Sequence, residues 1–196
     1  MNTTPPVSSA SNLDKQRLVT ALLELELHVH ADGWDGPPRL FALGRLGELV
    51  ATEPELASAL GLEGDGRDPD DASLVPIEQE WGSLTGPLDE SLAQIMWPPQ
   101  VAGAAITMER LVLPPAAEEQ VAAMSDPQEQ LELATNHPER QDMRVAVAVL
   151  RDGSHMCAVR ARGQDGDTDV LSGPDLVPGL VEALQSTFQT DVEANS

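Results

Sequence analysis

Lysine is almost absent from this chain. Of 11 basic residues in 196, Lys15 is the one lysine, and it follows an opening segment rich in Ser, Thr and Pro. There is accordingly no P-loop, no kinase-type lysine on a strand and no Schiff-base lysine for pyridoxal chemistry. Gly-x-Ser-x-Gly, His-Glu-x-x-His and Cys-x-x-Cys are missing too, so most large enzyme classes lose their usual signature. A single cysteine, Cys157, forms no internal disulfide and suits a reducing compartment. Aromatics are scarce, with two Phe, three Trp and no Tyr. No apolar run approaches the roughly 18 residues of a membrane span. The first residues, MNTTPPVSSASN, lack the basic and apolar regions of a secretory signal, so a cytoplasmic location is expected.

What is abundant is acid. With 33 Asp and Glu against 11 cations the formal net charge is −22. Such a surface repels nucleic acid and anionic membrane, so neither is expected as a partner.

Residues 1–11 read as a disordered tail, and residues 12–196 as a single domain of ordinary size. Residues 12–30 read as a helix, because Leu18, Leu22, Leu25 and Val29 form an apolar stripe and Gly33 follows. An alternating pattern over residues 23–30 offers a competing strand. Pro37 and Pro38 force extended backbone ahead of a strand at 40–46. A short helix is expected at 53–60, an exposed acidic loop at 61–73, a strand at 74–80, a helix at 87–96 and a strand at 101–113 ended by Pro114 and Pro115. Asp126 and Pro127 open a further helix that runs to about residue 136. The clearest element is a hairpin, MRVAVAVLR and SHMCAVRAR around Asp152-Gly153. A two-residue turn pairs Arg151 with Ser154, which puts Val145, Val147 and Val149 beside Met156 and Ala158. Both strands are apolar on both faces at the centre, so they are expected to be covered on both sides or to lie inside the sheet. A closing amphipathic helix at 175–189 carries Leu176, Leu180, Leu184 and Phe188. The class expected is α+β: a mostly antiparallel sheet with a central 143–162 hairpin, flanked by N- and C-terminal helices.

At GWDGPPRLFAL, WPPQVAGAA, HPERQDMRVAV and GPDLVPGLVEAL the chain resembles an uncharacterised actinobacterial family of acidic cytoplasmic proteins. The resemblance spans nearly the whole chain and implies no activity and no catalytic residue. Element order is also similar to that of the small acidic chaperones of type III secretion, which dimerise and hold extended partner segments. This likeness is one of topology alone.

No catalytic constellation, cofactor or metal is implied. Glu24, Glu26, His28 and His30 fall on different faces of a helix, so they read as solvated pairs beside the apolar stripe. Asp165, Asp167 and Asp169 resemble half of a calcium loop, but Val170 and Leu176 occupy its required Gly and Glu positions. Cys157 and His155 lie about 6.5 Å apart along one strand, too far for an activated thiol, so Cys157 reads as structural. The acidic run Asp65, Asp68, Asp70, Asp71 has less geometry still. Trp34, Trp81 and Trp97 sit beside Gly or Pro and read as loop anchors, with Trp34 also a candidate contact for a partner.

The arginines carry more. Arg140, Arg144, Arg151, Arg160 and Arg162 fall within 23 residues that hold only Asp142 and Asp152 as aspartates. Arg160 and Arg162 are expected on the Val145 face and partly exposed, with Arg144 and Arg151 paired internally. Guanidinium forks bind carboxylates and other anions in bidentate fashion. Arg144, Arg160, Arg162, His137 and Trp34 are therefore the candidate binding residues. Two functions follow: a non-enzymatic interaction or chaperone-like protein with a protein partner or as a homodimer, or a small enzyme or small-anion binder using the cluster at 140–162.

Overall fold

The structure, a computed structural model, describes residues 9–62, 71–80, 87–163 and 169–188. Helix α1 (Ser9–Ala31) opens it, so residues 9–11 of the expected tail are helical and residues 1–8 lie outside the described chain. Leu18, Ala21, Leu22, Leu25 and Val29 recur at helical spacing and all are buried, which decides for helix over the alternating strand. Gly33 ends the turn at φ +92°, its amide donating to the His30 carbonyl at 3.1 Å, a conformation that glycine adopts without strain.

Strand β1 (Arg39–Arg45) leads without a linker into α2 (Leu46–Thr52) and then α3 (Pro54–Ala59). Next come β2 (Leu74–Gln79), α4 (Leu88–Leu92), β3 (Gly103–Val112), α5 (Pro115–Ala123) and α6 (Pro127–Asn136). The chain continues through β4 (Gln141–Leu150), β5 (His155–Ala161), β6 (Val170–Gly173) and α7 (Pro178–Ser186). Asp126 caps α6 as expected, its carboxylate accepting from the Gln128 amide at 2.8 Å. Three elements were not expected from sequence: α2, α5 and β6. Pro114 and Pro115 end β3 as expected, and Pro115 also occupies the first turn of α5, where its missing N–H costs nothing. Helix α4 is also shorter than the expected 87–96. Residues 63–70 of the acidic loop, Trp81, and Asp165 and Asp167 lie outside the described residues.

The strands form one open antiparallel sheet in the order β2-β1-β3-β4-β5-β6, with the hairpin β4–β5 internal to it. Helix α1 covers one face through Leu18, Leu22, Leu25 and Val29 against Phe41, Leu43, Ala105, Ala146, Ala148 and Ala158. Helices α4 and α7 cover the other through Leu92, Leu180 and Leu184 against Ile106, Val145, Val147, Val149 and Cys157. Alternation along β4 thus gives small alanines to the long helix and larger valines to the short ones. Gly103 leaves no room for a side chain, because a Cβ there would strike the Val149 carbonyl oxygen.

The hairpin register differs from the expected one by a single residue. Val149 pairs with His155, Val147 with Cys157 and Arg144 with Arg160. The turn therefore holds three residues, Arg151-Asp152-Gly153, with Gly153 at φ +85° and its amide on the Leu150 carbonyl at 3.0 Å. Asp-Gly serves a three-residue loop with a left-handed glycine as well as a two-residue turn. Because side chains alternate with period two, one residue of slip moves a whole strand face to the other side. Arg160 accordingly stands on the Ala146 face, under α1, and not on the Val145 face.

Candidate functional site

Arg160, expected to be partly exposed, is 0% exposed, and the Glu26 side chain opposite it is 1% exposed. Its Nε and Nη2 donate to the two carboxylate oxygens of Glu26 at 2.7 Å each. This bidentate pair satisfies both charges between α1 and β5, which is what allows them inside. Glu26 lies four residues after Leu22 and three before Val29, on the flank of the stripe that meets the sheet. That spacing is the signal in the sequence for its burial, and the reading of Glu26 as a solvated residue is corrected by it.

Arg144, directly across from Arg160 on β4, is 2% exposed and turns toward the loop between α1 and β1. It donates to the Gly33 carbonyl and, at 3.1 Å, to Glu109 of β3. The other carboxylate oxygen of Glu109 accepts from the Asp35 amide at 2.8 Å. Asp35 sits at φ +69°, and its side chain in turn receives both terminal nitrogens of Arg162, at 2.8 and 2.6 Å. The guanidinium carbons of Arg144 and Arg162 lie 4.4 and 5.4 Å from the centroid of the Trp34 ring, within cation–π range. The Gly33–Trp34–Asp35–Gly36 loop is thus clamped onto the sheet end by two arginines and one glutamate. Arg162's hydrogen bonds hold the Asp35 carboxyl below the ordinary aspartate range, and Asp35 raises Arg162 in return. At 41% exposure, Arg162 meets the expectation of partial exposure.

The cavity beneath this loop is small, about 60 Å³, and is lined by Trp34, Arg39, Glu109 and Arg144 among others. Ligand pockets for small metabolites run to roughly 300–1,000 Å³. Arg39 also faces acids of its own chain, Glu78 at 2.6 Å and Asp32 at 2.6 Å. Its hydrogen bonds keep the Glu78 carboxyl below its ordinary value. The remaining two arginines of the cluster donate to backbone: Arg151 to the carbonyls of Val101, Trp97 and Pro98, and Arg140 to that of Thr135.

His137 is not brought to this site. It ends α6, where its Nδ1 accepts from the Glu139 amide at 3.2 Å. Trp97 is a core anchor, donating to Thr187 at 2.9 Å and stacking on Phe188. Cys157 is buried and donates to the Pro174 carbonyl, and burial pushes its thiol pKa up. Among the described residues no group of three or more His, Cys, Asp and Glu is placed to hold a metal ion, and no helix is long and apolar enough to cross a membrane.

Two of the larger grooves open away from the clamped loop. One, of about 330 Å³, lies between α1, β1–β2 and the end of α3, with Leu25, Phe41, Leu60 and Pro76 on its walls and Glu24, His28 and Glu78 around them. The other, of about 430 Å³, lies on the opposite face between α4, β3 and the start of α7. Sequence reading missed both, because each joins segments distant in the chain.

Fold and site define a class: an α+β protein with one open antiparallel sheet between helices, whose clustered arginines face groups of the same chain. The chain belongs to the PPA1309-like protein family, whose model matches residues 18–189. No curated protein and no solved structure matches it.

Proposed function

We propose that the protein is a non-enzymatic, cytoplasmic binding protein, chaperone-like in receiving an apolar segment of another protein in the groove between α1, β2 and α3. The observation that carries this reading is that groove itself. Its walls are apolar, and Leu60, 40% exposed, stands on it without cover among the described residues. Leu27, Leu56 and Val50 are further exposed apolar side chains of α1, α3 and α2. Exposed apolar surface of this kind marks interaction sites. The rim residue Glu24, in a chain of net charge −22, favours a segment flanked by basic residues and disfavours nucleic acid, while Glu78 is already held by Arg39. The alternative of an anion site at 140–162 has less support, because Arg144, Arg160 and Arg162 already hold carboxylates.

The test is photo-crosslinking of the full chain with a photoreactive side chain at Leu60 or, as a control, at the exposed Leu131 of α6. Native lysate should yield a discrete product from position 60 alone. Excess wild-type chain should compete it away, while excess Leu60→Asp should not. Equal products from both positions, or competition by Leu60→Asp, would refute the groove as the docking site. A product containing only a second copy of the chain would replace the foreign partner with a homodimer.

A further inference from the structure

Arg110 lies outside the clamp. It lies on β3 two residues beyond Met108, so both point to the α7 face of the sheet, and it is exposed. Among the described residues Arg17, Arg39, Arg45, Arg144, Arg160 and Arg162 each hold a carboxylate, and Arg140 and Arg151 hold carbonyl oxygens. Arg110 alone among the described arginines holds neither, in a chain with 33 acids. It stands on the lining of the 430 Å³ groove, whose walls are Leu88 of α4, Met108 of β3, and Leu176, Leu180 and Ala183 before and along α7. One carboxylate, Asp89, shares that lining without coming within ion-pair distance of Arg110. A groove of this volume, apolar apart from these two charges, has the composition of a small-molecule site.

We propose that this groove binds a small amphipathic carboxylate, a medium-chain fatty acid in chemical class, with its head on the Arg110 guanidinium and its chain along Met108, Leu176 and Leu180. The fork of Arg110 supplies a bidentate seat for the carboxylate, and no acid among the described residues forms an ion pair with it. The first turn of α7, which borders the groove, carries no acidic residue. Asp89 orients the ligand by repelling a head group placed at its own side. This site is independent of the α1–β2 groove and stands or falls separately from it.

The probes are submicellar decanoate and decanol, titrated into the full chain labelled with carbon-13 at its methionine methyl groups. Met108 lines the groove and Met143 pairs with Arg110 in the β3–β4 register, while Met96, Met124 and Met156 serve as internal controls. Decanoate should shift Met108 and Met143 saturably and leave the controls still. Arg110→Gln, a surface substitution, should keep the wild-type melting temperature. It should weaken decanoate at least about tenfold, the size of one charge-assisted hydrogen bond, and leave decanol unchanged. Arg110→Lys should recover part of the loss. Equal decanoate affinity in Arg110→Gln, uniform shifts at all methionines, or groove shifts that follow protein concentration without ligand would each overturn the proposal. The last of these would mark the groove as a contact between copies.

Discussion

Replacing Glu26 by glutamine exchanges one carboxylate oxygen for an amide nitrogen and leaves Arg160 charged inside the protein. Both side chains are buried, and two bonds of 2.7 Å join them. Glutamine keeps the shape and one acceptor but removes the counter-charge and one charge-assisted bond. Arg144, itself buried, is the residue directly across the strand pair, and its own carboxylate, Glu109, is partly solvated. Breaking a buried pair from one side costs about 3–5 kcal/mol, a large share of the 5–15 kcal/mol that holds a typical domain together. In urea unfolding with a slope near 2 kcal/mol per molar, the midpoint should fall by roughly 1.5–2.5 M. A shift corresponding to less than about 1 kcal/mol would refute the reasoning, since that is the worth of an exposed pair. Should Glu26→Gln fail to fold, Glu26→Leu with Arg160→Met removes both charges together, and apolar replacement of a buried pair is often neutral or stabilising. That double variant should fold and exceed the single variant in stability, and equal loss in both would contradict the argument.

Two further expectations concern titration. Glu78, whose folded pKa Arg39 depresses, contributes stability that is present above its unfolded value of about 4.3 and is lost as pH falls through the folded value. Arg39→Gln should flatten the decline of stability below that pH, measured by urea midpoints across the acid range, and an unchanged slope would count against the pair. Burial raises the Cys157 pKa, so its contribution is present below the unfolded value of about 8.5 and is lost as pH rises through the folded one. Iodoacetamide at pH 8 should alkylate Cys157 only as fast as the fold opens, and reaction at the rate of a free cysteine would show the thiol to be accessible.

Elements marked by local chemistry were legible in the sequence. The α1 stripe, the Asp126 cap, the Asp-Gly hairpin and the closing helix all rest on contacts within a few residues of one another. The register of that hairpin was not, because Asp-Gly suits two loop lengths, and the choice is made by α1 and α7 packing on the two strand faces. That single residue of slip carried Arg160 from one face to the other and hid its partner Glu26, which is distant in sequence. Strand β6, with four residues, and α5, opened by Pro115, have signals too short to separate from loop. Trp34 and the arginines were legible as a group by composition. The acids that engage them, Asp35 and Glu109, were not, since only the fold brings β3 and the α1–β1 loop to one sheet end.

The central claim is that Arg144, Arg160 and Arg162 are held by acids of the same chain and not kept open for a ligand. An arginine Nε-selective proton–nitrogen spectrum of the full chain, followed in heavy water and with added phosphate, tests it most directly. The Nε proton of Arg160 should exchange only on the timescale of fold opening, and phosphate should leave Arg144, Arg160 and Arg162 unshifted. Exchange of Arg160 at the rate of a free side chain, or a saturable phosphate shift at any of the three, would contradict the claim.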